Sequence, residues 1–505
     1  VTSAGIQTFD RQAPARRFNP LAVCGVAAVA LLSIVLNLRV NLVTDVSWLI
    51  TVIERMLEGQ SLYGEVVETN PPFTIWLYYP AVTFAKAVGI APETAILVFT
   101  YGVGLASLGI SHFILQRGGL VDRQTGWWLW PAIAVIFFVL PGYAIAQREH
   151  IGLMLFLPLL SLQAWRLVEN PQNPVPAAVA LIAGLAGSVI VLIKPHWALA
   201  VLLPALYVAW KRRSLRQIFR LEYWVIGLMA VGYLASVLVV YPEFLSTTYP
   251  MLKLLYLPIR NASGQWPFFL AKCALPVFLW VLLRSRNKVP ELADIAAAAG
   301  LGFLIAMVYL GKGWIYHLYP AIAAFLIASI VAFEAALRSG APRGTLYPMA
   351  SVWAVLVLVL LGNDFHAYRG IDRDLVSAVH DHHPNPRVAG VGGDIALGFP
   401  FTRLVNGDWQ SVYNCDWIGA HALYRLQTER GRLGDGERQR LEKHLADYVP
   451  IKMAELRSGN PDVILELKSS SWNGLMRSNP AFNAFMSRYD LLAESETTLV
   501  WKRIE

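Results

Sequence analysis

The chain has 505 residues, 56% of them hydrophobic and 15% charged, with a net charge of +8. Soluble domains run at about 45–50% apolar and about 25% charged. This balance excludes intrinsic disorder, a coiled coil and an ordinary cytosolic enzyme.

The charge is unevenly placed. Residues 1–362 hold 25 Lys/Arg and 15 Asp/Glu, whereas residues 363–505 hold 17 and 19. The first stretch reads as a polytopic membrane body and the second as a soluble domain. The positive excess lies in short loops between apolar runs, which signals topology and not nucleic-acid binding. Cys24, Cys273 and Cys415 are too widely spaced for a disulfide framework or a cysteine-type zinc site.

Arg11, Arg16 and Arg17 precede an apolar run, Leu21 to Leu36. No small-residue cleavage site follows it, so it reads as an uncleaved first span. A membrane helix needs about 20 apolar residues. On that measure spans are expected near 20–37, 94–116, 127–145, 151–167, 177–194, 196–210, 222–241, 266–283, 291–310, 315–338 and 345–362. The run 73–90 is ambiguous. If it does not cross, eleven spans start inside and leave 16 Lys/Arg in inner loops and 8 in outer ones. If it crosses, the numbers become 9 and 15. The positive-inside rule selects the first arrangement. Residues 73–90 then form an interfacial helix, with Trp76, Tyr78 and Tyr79 at the headgroup level. The fold class is a mainly α, polytopic membrane bundle of about 11 spans with a long outer first loop, plus a small C-terminal α/β domain outside.

That topology gathers the unusual polar residues on the outer face. Asp45 opens an amphipathic stretch in which Val46, Leu49, Ile50, Ile53, Met56 and Leu57 share one side. It suits a helix N-cap or a general base at the membrane surface. Glu68 and Asn70 precede Pro71-Pro72, which fixes an extended turn before the interfacial helix. Gln147-Arg148-Glu149-His150 lies at an outer junction of two spans. Four polar groups there either line a wet cavity or pair locally, Arg148 with Glu149. Lys194-Pro195-His196-Trp197 forms a tight outer hairpin in which Lys194 lines that cavity or snorkels. Gly311-Lys312-Gly313 precedes Tyr316 and His317 at another outer helix start, where Lys312 is placed to neutralise a phosphate. Lys272 lies six residues past Trp266, and either snorkels or faces a lipid phosphate. A carboxylate base and phosphate-neutralising cations are the parts needed to transfer a sugar from a lipid phosphate.

A first span, Asp45 in a long outer loop, Gly59-Gln60-Ser61-Leu62-Tyr63 and an acidic residue before Pro71-Pro72 together resemble the GT-C superfamily of integral-membrane glycosyltransferases. The branch that holds protein O-mannosyltransferases and the lipid A aminoarabinose transferase is the most similar. The resemblance implies an inverting transfer from a polyprenyl-phosphate sugar to an envelope glycan, lipid or protein, on the outer face of a bacterial inner membrane. It implies Asp45 as base and Glu68 as a second catalytic carboxylate. Arg148, Lys312, His317 and Lys272 fall to the donor phosphate, and Gln147, Glu149, His150, Asn70, Lys194, His196 and Tyr316 to the cavity wall. Asn70 stands where the family carries a basic residue. Metal use varies in the family, so no cofactor is assigned and a divalent ion stays open. A glycan ligase or polymerase, or a lipid-linked sugar flippase, is the alternative.

In residues 363–505, 387–393, 461–467 and 498–501 read as strands, and 418–428 and 437–457 as helices. A Gly-x-Gly-Gly at 390–393 is too loose to imply a nucleotide. His380, His382 and His383 read as a flexible exposed segment. The domain is expected to shape acceptor binding or to pack on the outer face.

Overall fold

The computed structural model describes residues 19–37, 42–121, 126–260, 266–286, 290–339 and 372–504, with scattered positions between 342 and 362. The loop arginines Arg11, Arg16 and Arg17 lie outside the described residues, and the expected span 345–362 is described only at positions 346–352, 354, 355 and 362.

In chain order the membrane body contains α1 (Pro20–Asn37), α2 (Thr44–Leu57), α3 (Phe73–Val88), α4 (Pro92–Arg117), α5 (Gly126–Ala134), α6 (Arg148–Val168), α7 (Ala177–Ile193), α8 (Ala198–Lys211), α9 (Leu221–Val240), α10 (Trp266–Arg286), α11 (Glu291–Leu310) and α12 (Ile315–Arg338). Among the described residues, seven helices are long and apolar enough to cross a membrane: α1, α4, α6, α9, α10, α11 and α12. Helices α1 and α9 leave most of their apolar side chains exposed, as lipid-facing helices do. Helices α6 and α12 are apolar and buried on nearly every side, the mark of central helices.

The expected span 127–145 is broken. Helix α5 gives way to a π turn at Val135–Val139 and a 3-10 turn at Gly142–Ala144. Pro131 and Pro141 cannot donate to the helical ladder. Gly142, at φ 51°, takes the reversal. Backbone freed inside an apolar body must find other partners. Tyr319 Oη donates to the Ile136 carbonyl at 2.7 Å, His150 Nε2 donates to that of Phe137 at 2.5 Å, and Ser33 Oγ bonds that of Phe138. His150 is thus a prop for this break and not a cavity residue.

Helix α3 ends at Gly89, whose φ of 72° suits a left-handed C-cap. Tyr78, expected at the headgroup level, is fully buried and donates to the Ala146 carbonyl at 2.7 Å. Trp76 instead packs on Tyr233 and Tyr241 of the α9 region.

The C-terminal part holds α13 (Arg373–His382), β1 (Arg387–Val391), β2 (Asp408–Trp409), α14 (Trp417–Thr428), α15 (Asp435–Gly459), β3 (Val463–Leu467), α16 (Ser471–Arg477), α17 (Pro480–Met486), β4 (Tyr489–Glu494) and β5 (Thr498–Arg503). The sheet order is β2-β1-β3-β5-β4, parallel across β2, β1 and β3 and antiparallel across β3, β5 and β4. His380 and His382 sit exposed in the last turn of α13, a helix where a flexible segment was expected. The 390–393 glycines serve packing: a Cβ at Gly390 would meet the Trp409 ring at 2.6 Å, and one at Gly392 would meet Leu397 and Leu467 at 2.9 Å.

This domain is docked onto α2 and its neighbours. Val67 N–H donates to the Val412 carbonyl at 2.9 Å, and Arg55 donates to that of Ser411 at 2.8 Å. Arg403 reaches both Glu54 and Glu93 at 2.5 Å. The Trp48 and Phe399 rings lie 5.2 Å apart. Arg425 donates to the Leu254 carbonyl at 2.6 Å. Glu54 and Glu93 are each about a third exposed, so they hydrate when the arginine is removed and its loss costs about 1 kcal/mol. The variant R403A should therefore speed hydrogen exchange at the Val67 amide about fivefold, without lowering the protection of α6 amides.

Candidate active site

Three helices begin at one cavity: α2 at Thr44, α6 at Arg148 and α12 at Ile315. Helix N-termini carry free N–H groups and a partial positive charge, so the convergence favours an anion. The cavity has a volume of about 1890 Å³ and runs between the membrane body and the soluble domain.

Asp45 lies in the first turn of α2, with Val43 and not Asp45 at the cap position, and its side chain is 25% exposed to the cavity. The N-cap role is therefore absent. One carboxylate oxygen, Oδ2, accepts from Gln147 Nε2 at 3.0 Å and faces Arg148 Nη2 at 3.9 Å. Arg148 does not pair with its neighbour Glu149 across the chain, as the local reading had it. Glu149 turns the other way, to Lys194 Nζ at 2.5 Å and His317 Nε2 at 3.5 Å. Lys194 does not snorkel: it is 9% exposed and lies 5.0 Å from the Trp197 ring centre.

Lys312 extends into the same cavity. It donates to the Tyr256 and Ile259 carbonyls at 2.5 and 2.8 Å and lies 3.8 Å above the Tyr256 ring. An ammonium has three donors, so one N–H remains for a ligand. Burial and the Arg260 charge push the Lys312 amine down to about 8. Lys272 lines the wall and lies 3.7 Å from the Phe268 ring centre.

The structure brings Asp45, Asn70, Arg148, Lys194, His196, Lys272, Lys312, Tyr316 and His317 to this cavity. Gln147, Glu149, His150 and Glu68 stand behind its wall. The difference is sharpest for Glu68, expected as a catalytic carboxylate. It is 1% exposed, accepts from Trp48 Nε1 at 2.6 Å and from Asn70 N at 2.8 Å, and also bonds the Asn70 side chain. Burial pushes its carboxyl above the ordinary range, against the Asn70 bonds and the Arg148 charge. Glu68 holds the turn that leads into α3. It reaches the cavity through Asn70 and through Thr69, whose Oγ1 donates to it at 3.3 Å; the Asn70 carbonyl is in turn held by Tyr63 Oη at 2.6 Å.

Sequence reasoning missed most of the opposite wall. The soluble domain contributes Asp394, Asn414, Trp417 and His421, and the segment between α9 and α10 contributes Tyr249 and Tyr256. The second group lies between the expected spans 222–241 and 266–283. The first group carries no motif. Among the described residues, no three His, Cys, Asp or Glu side chains are grouped as metal ligands would be.

The Lys194–Glu149 pair is the testable element. A buried ion pair that loses one partner costs about 3–5 kcal/mol. The variant K194M should lower thermal stability by that order, and E149Q/K194M should recover most of the loss, as read by melting temperature in detergent.

No family model matches the chain, and no curated protein matches it. Among solved structures it is similar to ArnT from Cupriavidus metallidurans bound to undecaprenyl phosphate, at 13% identity and a TM-score of 0.58, covering 95% of this chain and 97% of that one. ArnT from the same organism in the apo state matches at 14% identity and a TM-score of 0.56, over 95% and 97%. The chain shares the ArnT fold across nearly its whole length, a membrane helical bundle with a small C-terminal α/β part, and this is the fold implied by the resemblance to GT-C enzymes.

Proposed function

We propose that the chain is a glycosyltransferase that moves a sugar from a polyprenyl-phosphate carrier to an acceptor hydroxyl at the outer face of a bacterial inner membrane. The observation that carries the reading is one cavity in which a partly exposed carboxylate, Asp45, shares space with Arg148, Lys272 and Lys312. The shared fold with ArnT, solved with undecaprenyl phosphate bound, supports it.

In this mechanism the Asp45 carboxylate takes the proton of the acceptor hydroxyl, whose oxygen attacks the anomeric carbon. The bond from that carbon to the phosphate oxygen breaks, and the configuration inverts. Polyprenyl phosphate leaves with the electron pair. Its growing charge is met by Arg148, Lys312 and Lys272, with the N-terminal amides of α6 and α12 nearby. His317 and Lys194 act from the rim, and Glu149 keeps Lys194 in place. Gln147 orients Asp45 through its hydrogen bond. Glu68 acts by positioning Asn70, not by moving a proton.

Two outcomes test this. General-base removal costs about 10²–10⁴-fold in rate, so D45N should lose at least about 100-fold in transfer while still binding the lipid carrier. Activity near wild type would remove Asp45 from the reaction. The second concerns pH. Lys312, held down to about 8, is charged below that value and neutral above it. Binding of undecaprenyl phosphate should thus be strongest below about pH 8 and weaken as pH rises through it. An arginine stays charged throughout, so K312R should flatten that fall. An identical fall in K312R would place the titration elsewhere.

A further inference from the structure

The wall that the soluble domain gives to the cavity has chemistry that the transfer mechanism does not use. Asn414 and Trp417 line the cavity and are only 7% and 3% exposed. Asn414 Oδ1, Trp417 Nε1 and Nδ1 of the adjacent His421 are buried polar atoms with no hydrogen-bond partner. Buried polar atoms in folded proteins are nearly all paired. Three orphans on one wall point to a partner from outside the chain.

The surroundings narrow its class. The His421 ring lies 6.3 Å from that of Trp417 and 5.7 Å from that of Tyr256. Tyr256 stacks against Trp314 at 6.3 Å, and Trp314 against Tyr316 at 5.8 Å with 12° between planes. Burial and the Lys312 charge hold the His421 imidazole down to about 4. It is therefore neutral at neutral pH and offers one donor and one acceptor. The wall thus presents an amide oxygen, an indole N–H and a neutral imidazole beside a ladder of aromatic faces. A small, uncharged, hydroxyl-rich ring fits this set: its C–H face packs on aromatics, and its hydroxyls serve both donors and acceptors. The ladder adjoins Lys312 through Tyr256, where the donor phosphate is expected.

We propose that Asn414, Trp417 and His421, with the Tyr256–Trp314 ladder, form the subsite for the sugar ring of the lipid-linked donor; this rests on the transferase reading above. The phosphate is then held by cations of the membrane body, and the sugar is read by the soluble domain.

The test uses the full chain in detergent and four probes: bare undecaprenyl phosphate, and the same lipid carrying glucose, mannose or arabinose. Affinities are measured by thermophoresis, and melting temperature reports folding. The wild type should bind at least one sugar-bearing lipid about tenfold more tightly than the bare one. N414L, and W417F, which keeps a six-membered aromatic face and removes the indole N–H with its five-membered ring, should each cut that preference about fivefold. Both should leave the affinity for bare lipid within about twofold. An unchanged preference in both folded variants overturns the subsite, as does equal weakening of bare and sugar-bearing lipids. A wild type that binds all four probes equally also overturns it, while leaving the transferase reading intact. A wild type that binds none overturns both.

Discussion

A lysine and a glutamate facing each other at 2.5 Å inside an apolar bundle set the geometry of everything around them. Glu149 has no solvent to fall back on and Lys194 has little, so each needs the other. The pair ties the end of α7 to the start of α6, and the His317 contact adds α12. It also decides where Arg148 points. With Glu149 committed to Lys194, the guanidinium next to it in the chain is turned towards Asp45. Asp45 and the cation opposite it thus owe their arrangement to a salt bridge that does not face the cavity with its glutamate at all.

Two carboxylates close in sequence, Asp45 and Glu68, end in opposite environments. Asp45 opens onto the cavity with a cation and an amide beside it. Glu68 is sealed under Trp48 and occupied by Asn70. A base must be reachable by the hydroxyl it deprotonates, which separates their roles by access before any question of acidity arises. Lys312 shows the converse economy. Two of its protons are spent on carbonyls of the segment after α9, at Tyr256 and Ile259, which pins that segment and leaves one N–H facing the cavity.

The periodicity of α2, the long apolar helices and the strands at 387, 463 and 498 were legible because each depends on residues close in sequence. Loop charges led to the expectation that the polar residues gather together, and Asp45, Arg148, Lys194, Lys312 and His317 line one cavity. What escaped depends on contacts between separate elements of the chain. The break after α5 is stabilised by His150 and Tyr319, and nothing local marks either as its partner. The ring of Tyr78 looked like an interfacial anchor because aromatics at a helix surface usually are; here the Ala146 carbonyl claims it. Asn414, Trp417 and His421 lie in an ordinary stretch of a soluble domain and gain meaning only when that domain closes over Lys312. The four residues Gln147 to His150 were seen as a group, yet only Arg148 among them lines the cavity. Adjacent helix positions point about 100° apart, so one short polar run serves several neighbours.

The backbone bond between Val67 and Val412 joins the turn that holds Glu68 to the loop that precedes Asn414. Trimming the chain after its last hydrophobic helix would strand that amide, bare one side of Trp48 and leave Glu54 and Glu93 without their arginine. The lid and the vessel are thus a single mechanical part. Swapping the C-terminal domain between relatives requires carrying the 58–72 turn along with it.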